Sequence, residues 1–366
     1  MSTLNMSNRL KILHILYSGQ GGLGTYFMNF VNADTQNQFK HFAFFYGIEP
    51  LNKELENFCI ENKIPFQYQQ KESKIDFKAL KTVMAFQKKH QINYLLLHTF
   101  SLSLLILVGI FKKWKVIAID HTPHQVKTKI EQFFSVLNHL FSYKMIYFYK
   151  GHFEQNKRIL PLLKFGENSH IIPKTVDINF FQPPEDKPKN DIFTLGITAR
   201  LIQGKRHDLI IEALAKLRDK GLKVYFKIAG TGPKENELKN LVNKLNLNNQ
   251  IEFTGLLTRN QLLSFYQSLD AYIHASEGET ICYSIMEAQA CGLPILASDV
   301  GGINNFILNK NSGLLFENKI ECILEQIKNL NKNSELLQQY SYSSRKSIVE
   351  LFYRFNNSEI LYFLLK

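Results

Sequence analysis

Short runs of β-branched and aromatic residues alternate along the chain with longer stretches whose apolar positions recur every three or four residues. In the first half, Lys11–Leu16, His41–Tyr46, Tyr94–His98, Val116–Asp120 and Met145–Tyr149 read as strands. Phe77–His90, Leu102–Phe111 and Thr128–Phe141 have the length and period of helices. The second half repeats the scheme, with strands at Phe193–Ile197, Lys223–Ala229, Ile251–Thr254, Ala271–Ala275 and Ile295–Ala297. Its helices fit His207–Lys220, Glu235–Leu245, Asn260–Ser268 and Ser284–Cys291. Strands alternating with helices predict parallel sheets covered on both faces. Between the halves, residues 182–191 carry three prolines among alternating charges and read as a linker. The expected architecture is therefore α/β: two doubly wound, Rossmann-like domains over residues 1–181 and 192–344, their parallel sheets facing a central cleft. A last helix over residues 345–366 is expected to pack back on the first domain.

Composition narrows the class. At 366 residues the chain suits two domains, and 45% hydrophobic with 21% charged residues is a globular balance. Cys59, Cys282, Cys291 and Cys322 are scattered, matching neither a disulfide framework nor a paired-cysteine zinc pattern, which points to a reducing, cytoplasmic setting. The apolar run Leu10–Leu16 meets a glycine-rich loop rather than a cleavage site, so it reads as a strand and not a secretory signal. The apolar stretch Tyr94–Phe111 contains His98, Thr99, Ser101 and Ser103 and falls short of a spanning helix.

Charge is uneven. Residues 1–180 hold 22 of the 44 basic and 12 of the 32 acidic residues, a net +10 against +2 for the remainder. One half is thus suited to an anionic partner, such as a membrane surface, or is simply a lysine-rich solvated face. A nucleic-acid binder would need basic residues interleaved with aromatics on one surface, and would leave the ordered motifs of the second half unexplained. Residues 127–144 are basic at both ends. As a helix they would gather Ile130, Phe133, Phe134, Leu137, Leu140 and Phe141 on one face, the pattern of an interfacial helix or of a helix covering the sheet.

Four loops carry candidate chemistry. After the first strand, Gly21, Gly22 and Gly24 precede a helix; glycines let backbone N–H groups approach a phosphate there, although the spacing is not the dinucleotide fingerprint and a plain tight turn fits equally. The second domain opens with Arg200 and Lys205 past a strand end and before a helix, where basic residues are disfavoured unless an anion is present. Gly230 and Gly232 form another close-approach loop at the same edge. Glu279 lies on the loop after strand Ala271–Ala275 and Glu287 in the following helix. A carboxylate accepts from two vicinal hydroxyls, so this pair suits a sugar and a ribose, or else a solvated pair.

Taken in order, Gly21–Gly24, Arg200 with Lys205, Gly230-Thr231-Gly232, Phe253-Thr254-Gly255, Glu279-x7-Glu287 and Ala290–Pro294 resemble the family 4 retaining, nucleotide-sugar-dependent glycosyltransferases of GT-B fold. The resemblance is dense from Leu195 to Gly302 and looser before that. It implies that Arg200 and Lys205 neutralise a diphosphate leaving group, Glu279 holds the donor-sugar hydroxyls and Glu287 the ribose. Backbone near Thr254 and Gly255 would read the base, and His121, after the strand Val116–Asp120, would approach the donor sugar. The charge of the first half and the basic-ended segment 127–144 lead to the expectation that this domain docks on the cytoplasmic face of an anionic membrane to reach an envelope-glycan or lipid-linked acceptor, and no cofactor and no metal are expected. No Asp-x-Asp pair occurs in the sequence. Several positions depart from the family pattern: Lys174-Thr175 where Asn-Gly is usual, Ile303-Asn304 after Gly301-Gly302, and Ile281 and Cys282 inside the Glu-x7-Glu segment. These bear on the donor sugar more than on the reaction. A GT-B relative that hydrolyses or epimerises a nucleotide-sugar is the alternative within enzymes.

Overall fold

A computed structural model of the chain describes residues 9–19, 21–73, 76–122, 127–159, 168–186, 190–279, 282–307 and 311–354, with Leu361 and Leu365. The chain divides into two compact units, residues 1–174 with 355–366, and residues 175–354. The first unit runs β1 (Leu10–Leu16), α1 (Gly22–Asn32), β2 (Phe39–Gly47), α2 (Lys53–Glu61), β3 (Phe66–Gln70), α3 (Phe77–His90), β4 (Tyr94–Leu97), α4 (Leu105–Lys112), β5 (Lys115–Ile119), α5 (Lys129–Phe141), β6 (Lys144–Tyr147), α6 (Lys150–Ile159) and β7 (Ser169–Ile171). Its seven strands lie in the order β3-β2-β1-β4-β5-β6-β7, and every pairing is parallel.

The second unit runs β8 (Thr194–Thr198), α7 (His207–Asp219), β9 (Tyr225–Ala229), α8 (Glu235–Lys244), β10 (Ile251–Gly255), α9 (Arg259–Gln267), β11 (Ala271–His274), α10 (Tyr283–Ala290), β12 (Ile295–Ser298), α11 (Gly301–Ile307), β13 (Gly313–Phe316), α12 (Ile320–Lys332) and α13 (Ser334–Arg354). Six parallel strands follow the order β10-β9-β8-β11-β12-β13. In each sheet the order reverses once, between β1 and β4 and between β8 and β11. The loops that follow those strands therefore emerge side by side at the carboxyl edge, where such sheets bind ligands.

The predicted strands are present with ends shifted by a residue or two. The sequence reading missed β3, β7 and β13, which are edge strands: half-covered, short or polar, as in the Phe-Gln-Tyr-Gln-Gln of β3. It also missed helices α2, α6, α11 and α12 and the first part of α13. The helix expected over Leu102–Phe111 starts instead as a 3₁₀ turn at Phe100–Leu102 and becomes α-helical only from Leu105.

Both expected domain boundaries move. Residues of the proline-rich stretch lie on the second unit, where Gln267 Nε2 donates to Gln182 O at 2.9 Å and Asn190 Nδ2 to Asp270 Oδ2 at 3.0 Å. Residues 187–189 lie outside the described residues, and the division falls at 174/175. The helix placed over residues 345–366 is the end of α13 and belongs to the second unit as far as Arg354. Arg345 holds it there by donating to the carbonyls of Phe181, Ala290 and Ile178 at 2.7–3.1 Å. Only residues 355–366 group with the first unit; of these Leu365 accepts at its carbonyl from Tyr94 Oη at 3.4 Å, while 355–360, 362–364 and 366 lie outside the described residues.

Helix α5 also differs from expectation. It begins at a capping box formed by Thr128 and Glu131. Its inward face is polar: Ser135 meets Lys127 Nζ at 3.0 Å and His139 Nδ1 meets Tyr147 Oη at 3.1 Å. Buried polar groups demand partners, so they claim this face. Of the expected apolar stripe only Phe134 turns inward to full burial; Ile130, Phe133 (63% exposed), Leu140 and Phe141 face outward. The adjacent α4 adds Ile110 and Phe111, the latter 86% exposed.

Candidate active site

The second unit gathers most of the predicted residues at one sheet edge. Leu201 N donates to Thr231 O at 3.0 Å and Lys234 N to Leu201 O at 3.0 Å, lacing the loop after β8 to the loop after β9. Gly230, at φ +133°, and Gly232 are required by that lacing, because a Cβ at either would collide with the carbonyl oxygen of Ala199 or of Leu201. The close approach read from the sequence is thus made to backbone on either side of Arg200, which itself is exposed. Gly230 N donates to Gly255 O at 2.7 Å, and Thr254 Oγ1 lies 3.3 Å from Ile228 O, so the loop after β10 joins the same edge.

Lys205, from the β8 loop, forms an ion pair with Glu279, from the β11 loop. His274, the last residue of β11, donates from Nε2 to Glu279 Oε1 at 2.9 Å, with Lys205 Nζ 3.4 Å from the same ring nitrogen. Cys282 Sγ completes the cluster at 3.6 Å from His274 Nε2, at the N-cap of α10. Burial would depress His274, but the Cys282 thiolate and the Glu279 carboxylate reverse this and raise it to about 9. Burial likewise opposes ionisation of Glu279 and Cys282; the Lys205 charge and the His274 bond hold Glu279 well below the usual carboxylate range, and His274 lowers the Cys282 thiol. Lys205 is therefore an ammonium, Glu279 a carboxylate and His274 an imidazolium near neutral pH, with the Cys282 thiol lowered beside them.

His274, Glu279 and Cys282 place an N, an O and an S donor within 4.8 Å of one another, a set that a divalent metal could use. The Lys205 ammonium, bonded to Glu279 and facing His274 Nε2, already stands where such an ion would lie. Glu287 sits deeper, buried on α10, with Tyr266 Oη donating to its Oε2 at 2.8 Å and Thr198 Oγ1 2.7 Å from the same hydroxyl. Glu279 and Glu287 therefore occupy different environments, one beside cations and one among hydroxyls.

In the first unit, Gly21 caps α1 at φ +144°, and Gly24 packs its bare Cα against Leu55 of α2. Gly22 opens the helix and is exposed. His121 follows β5, half-buried, with its Nε2 3.2 Å from His98 Nδ1. Burial and the nearby Lys174 ammonium push it well below the ordinary histidine range, so it is neutral. The preceding Asp120 accepts from Lys127 Nζ at 2.6 Å inside the core, both side chains fully buried, which fixes the strand end. The sequence reading missed His98, His274, Cys282 and Tyr266. Each stands at or just past a strand end or in a following helix, a position that gives no period or motif.

Comparison with known proteins bears on this edge. Residues 176–347 match the family model of glycosyl transferases group 1. The chain is 31% identical over 133 residues to the phosphatidylinositol N-acetylglucosaminyltransferase gpi3 subunit of Schizosaccharomyces pombe, covering 36% of this chain and 29% of that protein. It is 27% identical over 165 residues to the alpha-monoglucosyldiacylglycerol synthase of Streptococcus pneumoniae, 42% and 37% of the respective lengths. The chain thus spans about a third of the length of these relatives. Among solved structures, Anabaena HepE in complex with UDP and glucose superposes with a TM-score of 0.77 at 16% identity, over 94% of this chain and 98% of that one. The two parallel-sheet units are those of the GT-B fold. Arg200, Lys205, Glu279 and Glu287 all fall inside the matched residues 176–347.

Two outcomes follow from the charge cluster. A histidine raised in the folded state contributes stability that is full below its unfolded pKa, about 6.5, and is lost as pH climbs through about 9. The thermal midpoint is expected to fall over that window, less steeply than His274 alone would give because the lowered Cys282 thiol works in the opposite sense, and His274→Asn to change the profile; an unchanged profile in the variant would remove the imidazolium assignment. Cys282 is also expected to alkylate first in iodoacetamide time courses read by mass spectrometry. Burial holds Cys59 and Cys291 up at about 12. Labelling of Cys282 no faster than theirs would show that it is not a thiolate.

Proposed function

We propose that the chain is a retaining, family 4 glycosyltransferase that moves a sugar from a nucleotide-diphosphate donor to a lipid-linked or envelope-glycan acceptor, without a metal. The observation that carries this reading is the Lys205–Glu279 pair at the carboxyl edge of β8 and β11, within the matched residues that also hold Arg200 and Glu287. Lys205 would leave Glu279 for the donor diphosphate and Arg200 would clamp its oxygens, while His274 keeps Glu279 charged and oriented toward sugar hydroxyls. Glu287, braced by Tyr266, would receive the ribose hydroxyls. The acceptor oxygen bonds to the anomeric carbon on the face from which the diphosphate departs. The carbon–oxygen bond to phosphate breaks with its electron pair on that oxygen, which takes up the acceptor's proton. The two cations stabilise the charge developing there, and no protein nucleophile is required.

A lipid-linked acceptor is supported by the names of the two relatives, and a uridine nucleotide by the ligand of the Anabaena structure. Membrane docking is supported by the exposed apolar side chains of α4 and α5 together with Lys112, Lys113, Lys129 and Lys144 around them and the net +10 of residues 1–180. Among the described residues no helix is long and apolar enough to cross a membrane. Attachment would be peripheral, on the cytoplasmic face.

A screen of nucleotide-sugars by calorimetry, followed by transfer to lipid and glycan acceptors, identifies donor and acceptor. Arg200→Ala and Lys205→Ala are each expected to lower kcat/KM by roughly 10–150-fold, the worth of about 1.5–3 kcal/mol for a bond to a charged group made in the transition state. EDTA is expected to leave the rate unchanged. Wild-type kinetics in both variants would overturn the diphosphate assignment. In flotation assays the protein is expected to bind anionic vesicles in a salt-sensitive manner, and Phe111→Ser with Phe133→Ser to abolish recovery, each exposed ring contributing up to about 1.5–3 kcal/mol on insertion. Equal recovery on neutral and anionic vesicles would sink the electrostatic part of the docking.

A further inference from the structure

Four histidines cross the first sheet in a single hydrogen-bonded line. His41 Nε2 meets Asp34 Oδ2 at 3.2 Å, and His41 Nδ1 meets His14 Nε2 at 3.1 Å. His14 Nδ1 meets His98 Nε2 at 3.3 Å, and His98 Nδ1 meets His121 Nε2 at 3.2 Å. The strand register explains the line. His41 of β2 pairs with Ile12, two residues before His14 in β1; His14 pairs with Leu96, two residues before His98; Leu97 pairs with Ala118, which sets His98 level with Ile119, two residues before His121. Each step to the next strand thus advances two residues, which keeps every ring on one face and carries the line diagonally to the carboxyl edge. Rings of α1 seal it: Phe27 and Phe30 pack edge-on against His14, and Tyr26 against both His98 and His121.

The line has a direction. Asp34 already accepts the backbone N–H groups of Gln38 and Phe39 at 2.8 and 3.0 Å, one on each oxygen, and meets His41 as an acceptor. His41 Nε2 must therefore carry the hydrogen. Where that ring carries one hydrogen its Nδ1 is the acceptor, His14 donates from Nε2, and the same logic passes through His98 to His121. Burial, with His41 and His98 beside it, pushes His14 well below the ordinary range, and burial with the Lys174 charge does the same to His98 and His121. The charged and titratable groups facing the line are Asp34 at one end, and Lys174 and His152 near His121. A cation beside a buried imidazole disfavours a second proton, so the three inner rings remain neutral.

We propose that Asp34, His41, His14 and His98 are positioning residues that lock His121 in one tautomer, protonated at Nε2, so that its Nδ1 accepts a hydrogen bond from a substrate hydroxyl. The lock itself is independent of the proposed function; the substrate hydroxyl rests on it. No proton is transferred along the line. It works as the carboxylate does behind a catalytic imidazole, extended through three rings.

Ring-¹⁵N NMR of the full chain labelled in histidine reads the tautomers directly. In the wild type His14, His98 and His121 are expected to be protonated at Nε2 alone. Asp34→Asn offers an N–H where the carboxylate accepted, and His98→Phe cuts the line beside His121 while leaving the Asp34 turn intact. Both variants, checked for folding by circular dichroism, are expected to shift His121 toward Nδ1 protonation and to lower kcat/KM for the donor by roughly 3–10-fold. Wild-type His121 protonated at Nδ1, which needs no variant to detect, or His121 unmoved in both variants, would overturn the lock. Tautomers that change with kinetics unaltered would remove the substrate-hydroxyl role. Transfer activity itself is tested separately by the Arg200 and Lys205 variants, so the two failures are distinguishable.

Discussion

Because parallel strands cannot be joined by tight hairpins, each strand leads into a crossover, and every loop entering a crossover leaves its sheet at the same edge. That constraint decides where chemistry can collect in this molecule. Arg200 and Lys205 follow β8, Gly230 and Gly232 follow β9, Thr254 and Gly255 end β10, and Glu279 follows β11. Residues 24 to 79 positions apart in the chain become neighbours with no further device than the pairing itself. The glycines then fix how closely the loops lie. At Gly230 and Gly232 the competing atoms are backbone oxygens of the segment that carries Arg200, which cannot move aside as a flexible side chain would.

At that edge the decisive feature is a set of charges that support one another. An isolated ion inside a protein is expensive, and removal of one partner from a buried pair costs about 3–5 kcal/mol because the other is left uncompensated. Glu279 has two partners, Lys205 and His274. Under the proposed chemistry this matters, because the lysine can move to a diphosphate while the imidazolium continues to neutralise the carboxylate. The Cys282 thiolate in turn keeps His274 protonated. Asp120 and Lys127 in the first unit offer a contrast: fully buried, tied to Ser135, and confined to holding the end of β5.

The first unit shows how polar requirements shape an apolar surface. Lys127 and Tyr147 are buried and need partners, which α5 supplies through Ser135 and His139. A helix that commits its inward face to such bonds has to present its aromatic residues elsewhere, and Phe133, Leu140 and Phe141 face out. The histidine line obeys the same rule by another route. Four imidazoles placed on one sheet face satisfy each other in series, and a single carboxylate at the end sets the sense of all the bonds.

Much of this was legible in the chain alone. Near-continuous apolar runs separated by helical periods specify two parallel sheets, since only strands covered on both faces read that way. The ordered motifs from Arg200 to Glu287 could be placed on strand ends and helix starts without the tertiary structure, because local spacing fixes position within a strand–loop–helix unit. What spacing could not supply was partnership across strands. His274 and Cys282 carry no signal until β11 and the start of α10 bring them to Glu279, and His14, His41, His98 and His121 are four isolated letters until the register of four strands aligns them. The face of α5 was left open between two readings for the same reason: its hydrophobic period was visible, but the buried Lys127 and Tyr147 that claim its polar side were not. Edge strands such as β3 carry no apolar signature because only one neighbour covers them. The sequence by itself determined the two parallel sheets and the central strands and helices that build them; register and burial, which depend on residues distant in the chain, decided which side chains became charged, neutral or exposed.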